Sequence, residues 1–199
     1  MLLRGAQRSH KHIDSLAKWR IEAEIAVRRP KPIVVRRAPG RPTEARVQLA
    51  NGVRRAALGR GGIKALKREG DGGTPLGCMP VRRVLYRADR VRRPHSAFPL
   101  RAIRIGDGWC DDPGDRNYNR PIRRPYGHST ETMMREDELY DVVLVLGHND
   151  RPRVRSRGSA IFVHLSRPGY TPTEGCIAFS FRDLLAVLAQ LRGRCGFLV

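Results

Sequence analysis

Two stretches of the chain are apolar almost without interruption, Tyr140–Leu146 (YDVVLVL) and Ser159–Leu165 (SAIFVHL). Short runs without polar alternation predict strands covered on both faces, because a strand with one wet face alternates with period two. Alternation does occur earlier, in ARVQLA at 45–50. Asn51-Gly52 and Val53–Leu58 follow it, which reads as a hairpin whose two turn residues both take positive φ. Val81–Tyr86 is a further strand, and Gly59–Gly62 and His148–Pro152 are turns. Near the C-terminus the period lengthens: Leu184, Leu185, Val187, Leu188 and Leu191 form a helical stripe. Ser180 is its N-cap, with Asp183 completing a capping box, and Gly193 is its stop. Residues 87–137 have little periodicity and many Pro, Gly, Asp and Asn, which predicts a long, functional loop. Strands first and one strong helix last predict a mostly-β domain of the α+β class, not an alternating βα fold.

Residues 1–45 read as a basic leader or linker, without evident order, outside that domain. Positions 12–27 carry a weak helical pattern through Ile13, Leu16, Ala17, Ile21 and Ile25. The following RRPKPIVVRRAPGRP reads as a linker or edge segment. The folded domain is therefore expected over 46–199, and 199 residues suit one domain with a tail. No run of 18 apolar residues is present, so no membrane-spanning helix is expected. Charged and polar residues interrupt Met1–Arg8 at once, so no export signal is readable.

The formal net charge of +20 comes almost entirely from arginine. Such a charge attracts polyanions, whether nucleic acid or an anionic wall or membrane surface. The arginines are scattered rather than interleaved with aromatics, and no known helix or zinc motif accompanies them, which argues against nucleic acid. The four cysteines are widely spaced with no C-x-x-C, which argues against a zinc ribbon or a thioredoxin-like motif. Asp111, Asp112 and Asp115 lack calcium-loop spacing and read as a solvated turn. None of these patterns points to a bound metal.

The chemistry concentrates in GSAIFVHLSRPGYTPTEGCIAFS at 158–180. His164 lies near the end of a buried strand, and Cys176 follows 12 residues later, after a Pro/Gly loop able to return it to the histidine. A cysteine nucleophile requires a base within hydrogen-bond reach. Gly175 permits a tight backbone and close approach of a substrate carbonyl, and the N–H groups of Gly175 and Cys176 are candidate oxyanion donors. Thr173 is a candidate to orient the base or contact substrate. Trp109, Tyr118 and Asn119 are candidates to line a substrate groove from the long loop. Singly, a buried cysteine or a strand histidine more often packs than reacts; flanking one loop, the two form a candidate acyl-transfer pair.

The stretch Gly158–His164, followed by Thr173-Glu174-Gly175-Cys176-Ile177, resembles the signature of the L,D-transpeptidase family, the YkuD-type catalytic domain. Asp71-Gly72-Gly73-Thr74-Pro75-Leu76-Gly77 resembles its Thr-Pro-x-Gly segment, and Trp109-Cys110-Asp111-Asp112 with Tyr118-Asn119 resembles a subgroup. The resemblance implies a β-sandwich-like catalytic domain in which Cys176 attacks a peptidoglycan tetrapeptide stem, with His164 as base. D-alanine leaves, a thioester forms, and an amine of a neighbouring stem resolves it into a 3→3 cross-link; water as acceptor gives an L,D-carboxypeptidase instead. It also implies a role in cell-wall organisation and cell shape, bacterial origin, no cofactor, and a periplasmic or envelope location, although the unread export signal leaves the cytoplasm open. Three positions depart from the usual pattern: Leu165 stands for a glycine, Glu174 for a frequent histidine, and Ala178 for an arginine. Arg153, Arg155 and Arg182 are candidates to replace that arginine. A non-catalytic wall-binding or nucleic-acid-binding basic module is the alternative function.

Overall fold

The computed structural model describes residues 31–193 and 195–199; the weak helix expected at 12–27 lies outside them. Along the chain run β1 (Ile33–Ala38), β2 (Arg41–Leu49), β3 (Gly52–Ala57), β4 (Ile63–Lys64), β5 (Thr74–Pro75), β6 (Cys78–Tyr86) and β7 (Leu100–Ala102). Then come β8 (Asp107–Cys110), β9 (Arg120–Arg123), β10 (Thr130–Thr132), β11 (Val142–Leu146), β12 (Phe162–Leu165) and β13 (Ile177–Phe179). The helix α1 (Phe181–Gln190) and β14 (Gly196–Leu198) finish the chain. Nine strands form the main sheet in the order β11-β12-β13-β3-β2-β1-β14-β6-β7. A further pairing joins β11, at one end of this order, to β6, next to the other end, so the sheet folds back on itself around an interior. This is the expected mostly-β architecture with one C-terminal helix, a β-sandwich-type fold.

The domain starts earlier than its expected boundary at 46. The sheet takes in β1 and all of β2, because Ile33, Val35, Ala45, Val47 and Leu49 point the same way at every second position and fill the interior. The Pro and Gly residues around IVVRRAPGRP had read as linker chemistry; Gly40, at φ 68°, instead turns β1 into β2. The hairpin turn also shifts by one residue. Leu49 pairs with Gly52, so the loop residues are Ala50 and Asn51, and only Gly52 takes positive φ (116°). Gln190 and Arg54 hold this turn, the first by accepting from the Ala50 N–H at 2.7 Å and the second by donating to the Asn51 side chain at 2.9 Å.

The long loop expected over 87–137 is largely built. It holds β7 and a small separate sheet in the order β10-β8-β9. Its strands are too short to show periodicity, and Asp107, an acid inside β8, is held by Arg101 at 2.7 Å and Arg123 at 2.8 Å. The start and stripe of α1 are as expected: the Ser180 hydroxyl accepts from the Asp183 N–H at 3.2 Å, and Leu184, Val187 and Leu188 are buried. Its end and its capping box are not: the helix stops at Gln190, with an extended Leu191 as C-cap ahead of Gly193, and the Asp183 carboxylate pairs with Arg54 at 3.1 Å. No described helix is long and apolar enough to cross a membrane.

The two apolar runs become β11 and β12, and their alternate residues feed two clusters. Val142, Leu144, Leu146, Val163 and Leu165 enter the main core with α1. Val143, Val145 and Phe162 face the other way, against Trp109, Met133, Tyr140 and Cys176. Both faces are covered, which is why neither run alternates.

Candidate active site

β12 and β13 run parallel, with His164 opposite Ala178 and Val163 opposite Ile177. Cys176 therefore sits beside Phe162, one step before β13, on the face that also carries His164. Alternation along β12 sends Phe162 and His164 to this face and Val163 and Leu165 into the main core. Tyr140 bridges them, its ring 5.9 Å from that of Phe162 and 5.3 Å from that of His164. His164 and Cys176 open into one cleft of about 180 Å3, lined also by Glu131, Arg135, Tyr140, Arg167, Thr173 and Ala178.

The hydrogen bonds fix the state of both groups. His164 Nδ1 lies 2.8 Å from the Leu165 carbonyl oxygen, which can only accept, so Nδ1 carries the proton and Nε2 presents a lone pair. Burial holds the imidazole down at about 4, and nearby Arg135 and Arg167 add to the effect. Burial pushes the Cys176 thiol up to about 12, against the opposing effect of the Phe162 N–H, which donates to Sγ at 3.3 Å. The thiol in turn donates to the Ala160 carbonyl at 3.3 Å. At neutral pH the resting pair is thus a thiol and a neutral imidazole, not a thiolate and an imidazolium.

The backbone around Cys176 is shaped by close glycine contacts. Gly175 has φ 129°, and a Cβ there would come within 2.8 Å of the Gly73 carbonyl. A Cβ on Gly59 would lie 2.1 Å from the Gly72 carbonyl and 2.9 Å from Gly175 Cα. The Gly-Gly-Thr-Pro segment therefore packs directly behind the Gly175–Cys176 turn, with Thr74 accepting from the Gly59 N–H at 2.8 Å. Buried Lys67 braces the approach to this segment, its ammonium 2.6 Å from Asp71, which itself accepts from the Gly73 N–H at 2.8 Å.

Of the expected site residues, Thr173 is close to the chemistry. Its hydroxyl donates to the Cys176 carbonyl at 2.7 Å and accepts from the Gly175 N–H at 3.2 Å, so it clamps the turn that presents the thiol. Trp109, Tyr118 and Asn119 do not line the cleft; they support it from behind. Trp109 packs edge-on to Phe162 at 5.2 Å and donates to Asn119 at 3.0 Å. Asn119 also accepts from the Ala160 N–H at 3.2 Å and donates to the carbonyls of His148 and Asn149. Tyr118 is buried, with its hydroxyl bonded to Glu69 at 2.5 Å. These rings came from the long loop, but the apolar shelf under Phe162 claimed them. Asn119, itself held by Trp109, supports Ala160, a non-glycine residue at φ 50° whose carbonyl accepts a hydrogen bond from the Cys176 thiol.

Ala178 is buried in the cleft wall beside His164, where a longer side chain would enter the cleft. Arg153, Arg155 and Arg182 do not line the cleft; Arg135 and Arg167 do. Arg135 is occupied, bonded to Glu131 at 2.9 Å and to Asp137 at 2.7 Å. Arg167 is more than half exposed, with one long contact of 3.7 Å to Asp137. Neither arginine was singled out in the sequence. Arg167 lies within the His-to-Cys loop, a signal that was available; Arg135 reaches the site only through the tertiary fold.

A family model, the L,D-transpeptidase catalytic domain, matches residues 33–194. The chain belongs to the L,D-transpeptidase catalytic domain family. Comparison with curated proteins and with solved structures returned no match. The family assignment carries L,D-transpeptidase-type activity on peptidoglycan, with a cysteine nucleophile and peptidoglycan peptides as the substrate class. The match starts at Ile33, where β1 starts, so family and fold agree on the N-terminal edge of the domain.

Proposed function

We propose that the protein is a cysteine-dependent L,D-transpeptidase that cleaves the terminal D-alanine from peptidoglycan tetrapeptide stems and joins the acyl group to a neighbouring stem. The observation that carries this reading is the placement of His164 and Cys176 on one face of adjacent strands, both opening into one cleft. Cys176 Sγ attacks the carbonyl carbon between the third residue and D-alanine, and its proton passes to His164 Nε2. For this the S–H turns from the Ala160 carbonyl toward the imidazole. The Cys176 N–H, for which no acceptor is found among the described residues, is the oxyanion donor; the Gly175 N–H is already engaged by Thr173. The C–N bond breaks, and His164 returns the proton to the departing D-alanine amine. The amine of a second stem then attacks the thioester, gives up its proton to His164 and restores the thiol, leaving a 3→3 cross-link. Water in place of that amine gives a carboxypeptidase.

Desolvation favours this neutral start. A thiolate–imidazolium pair would place two charges in a buried site, whereas proton transfer during attack creates charge only where donors wait. Arg167 is the cation available at the cleft for a stem carboxylate, in place of the side chain that Ala178 lacks. The substrate lies in the periplasm or cell envelope, which is where the protein is proposed to act. Incubation with tetrapeptide muropeptides tests the reading by mass spectrometry. Released D-alanine and 3→3 dimers are expected from the wild type and neither from Cys176→Ala. Equal products from both proteins overturn it.

A further inference from the structure

Three arginines stand side by side on the outer face of the sheet. Arg36 of β1 pairs in register with Arg46 of β2, and Arg46 pairs with Arg55 of β3. All three are exposed. Directly opposed like charges on neighbouring strands repel each other, so this row is unfavourable unless an anion compensates it. Glu44, two residues from Arg46 on the same face, does so only at one end. It binds Arg55 through two bonds of 2.8 Å and Arg41 at 3.1 Å. Arg36 and Arg46 have no acidic partner among the described residues. Two shallow hollows adjoin the row and share Val53, Arg54 and Arg55; Arg41 and Arg46 line one and Arg182 the other.

The row is tied to the catalytic cleft. The Arg55 guanidinium lies 4.4 Å above the Tyr170 ring and donates to the Gly169 carbonyl at 3.3 Å. Gly169 and Tyr170 belong to the loop whose Arg167, Thr171, Pro172 and Thr173 line the cleft. A ligand held on the arginine row therefore lies next to the loop that holds the substrate groove.

We propose that the Arg36–Arg46 end of this row is an exosite for the peptidoglycan strand itself, taking the free carboxylates of stem peptides that are not in the cleft, with Arg55, already bound to Glu44, joining it to the cleft loop. This rests on the proposed activity for the identity of the polymer. Guanidinium groups suit carboxylates because they present paired donors to paired acceptors. The row then keeps the enzyme on an insoluble, polyanionic substrate between turnovers, and it uses exposed side chains whose replacement leaves the core intact.

Co-sedimentation with purified sacculi, stripped of protein and of attached accessory polymers, tests this. The wild type is expected to sediment with sacculi at about 0.01 M salt and to be released toward about 1 M, where the screening length falls from about 30 Å to about 3 Å. The R36Q/R46Q variant is expected to lose most of the sedimented fraction, while its release of D-alanine from soluble muropeptides stays unchanged. Its melting temperature stays equal or rises, since a repulsion has been removed. Sacculi whose stem carboxylates have been converted to amides are expected to hold the wild type no better than the variant. The proposal is overturned if R36Q/R46Q sediments like the wild type, or if amidated sacculi bind as well as native ones. Tighter, row-dependent binding to duplex DNA than to sacculi also overturns it, in favour of a nucleic-acid surface. Row-dependent binding by a wild type that never releases D-alanine supports the exosite and defeats the proposed activity, so the two fail separately.

Discussion

The two faces of β11 and β12 are built from alternate residues of the same short apolar runs, yet they behave differently. On the inner face Val142, Leu144, Leu146, Val163 and Leu165 meet other aliphatic residues and the α1 stripe. On the outer face Val143, Val145 and Phe162 meet Trp109, Met133 and Tyr140, and this shelf carries His164 and Cys176 at its rim. The inner face holds the fold together. The outer face uses the same kind of burial to strip water from two titratable groups, holding one near 4 and pushing the other up to about 12. A strand covered on both sides can thus give one face to stability and the other to reactivity, because each alternate side chain answers to a different neighbour.

Substitutions on the two faces should separate these effects. Cys176→Ala should abolish D-alanine release, a loss of several orders of magnitude, and alter folding stability by about 1 kcal/mol at most. Leu144→Ala, fully buried on the inner face, should do the reverse. Urea denaturation should show a loss of about 2–5 kcal/mol, with kcat and KM unchanged per folded molecule. An equal loss of turnover in Leu144→Ala would erase the distinction between the faces.

His164 belongs to both ledgers, and pH separates them. Its folded value lies below its unfolded one, so between about 6.5 and about 4 the unfolded chain binds a proton that the native site refuses. Stability should therefore fall as pH drops through that window, by on the order of 3 kcal/mol in total. His164→Gln should lack this dependence and should lose turnover by a factor of about 100 to 10,000. In the wild type the acid limb of kcat/KM should lie near pH 4; a limb at the ordinary imidazole value would show that the site is wetter than its burial indicates.

Asn119→Ala removes the acceptor that holds Ala160 and Trp109. It should cost about 1–3 kcal/mol and lower kcat more than KM, since the Ala160 carbonyl accepts the hydrogen bond that positions the resting Cys176 thiol but does not line the cleft. Arg167→Gln should have the smallest effect, raising KM for carboxylate-terminated stems about tenfold, the equivalent of one exposed charge-assisted hydrogen bond. A matching rise for stems with an amidated terminus would move Arg167 out of carboxylate recognition.

The sequence by itself determined the strand runs of β11 and β12, the N-capped helix α1, and the Pro/Gly loop that returns Cys176 to the cleft His164 lines. These signals are local: periodicity, capping chemistry and a motif lie within a few turns of chain. The Thr-Pro-x-Gly segment was also legible, though the reason for its glycines, a close approach of Gly59, Gly73 and Gly175, was not. Tertiary structure alone decided the rest. The start of the domain at β1 and the insertion of β14 between β1 and β6 depend on partners far along the chain, and three-residue strands carry no period of their own. The roles of Trp109, Tyr118 and Asn119 were decided the same way, because the pattern could place them in one loop but not say which side of Phe162 they would fill. The arrival of Arg135 and Arg167 at the cleft, and the stacking of Arg36, Arg46 and Arg55 into a row, followed from strand register and chain return. Local sequence sets which residues want burial or charge; only the packed sheet sets which of them meet.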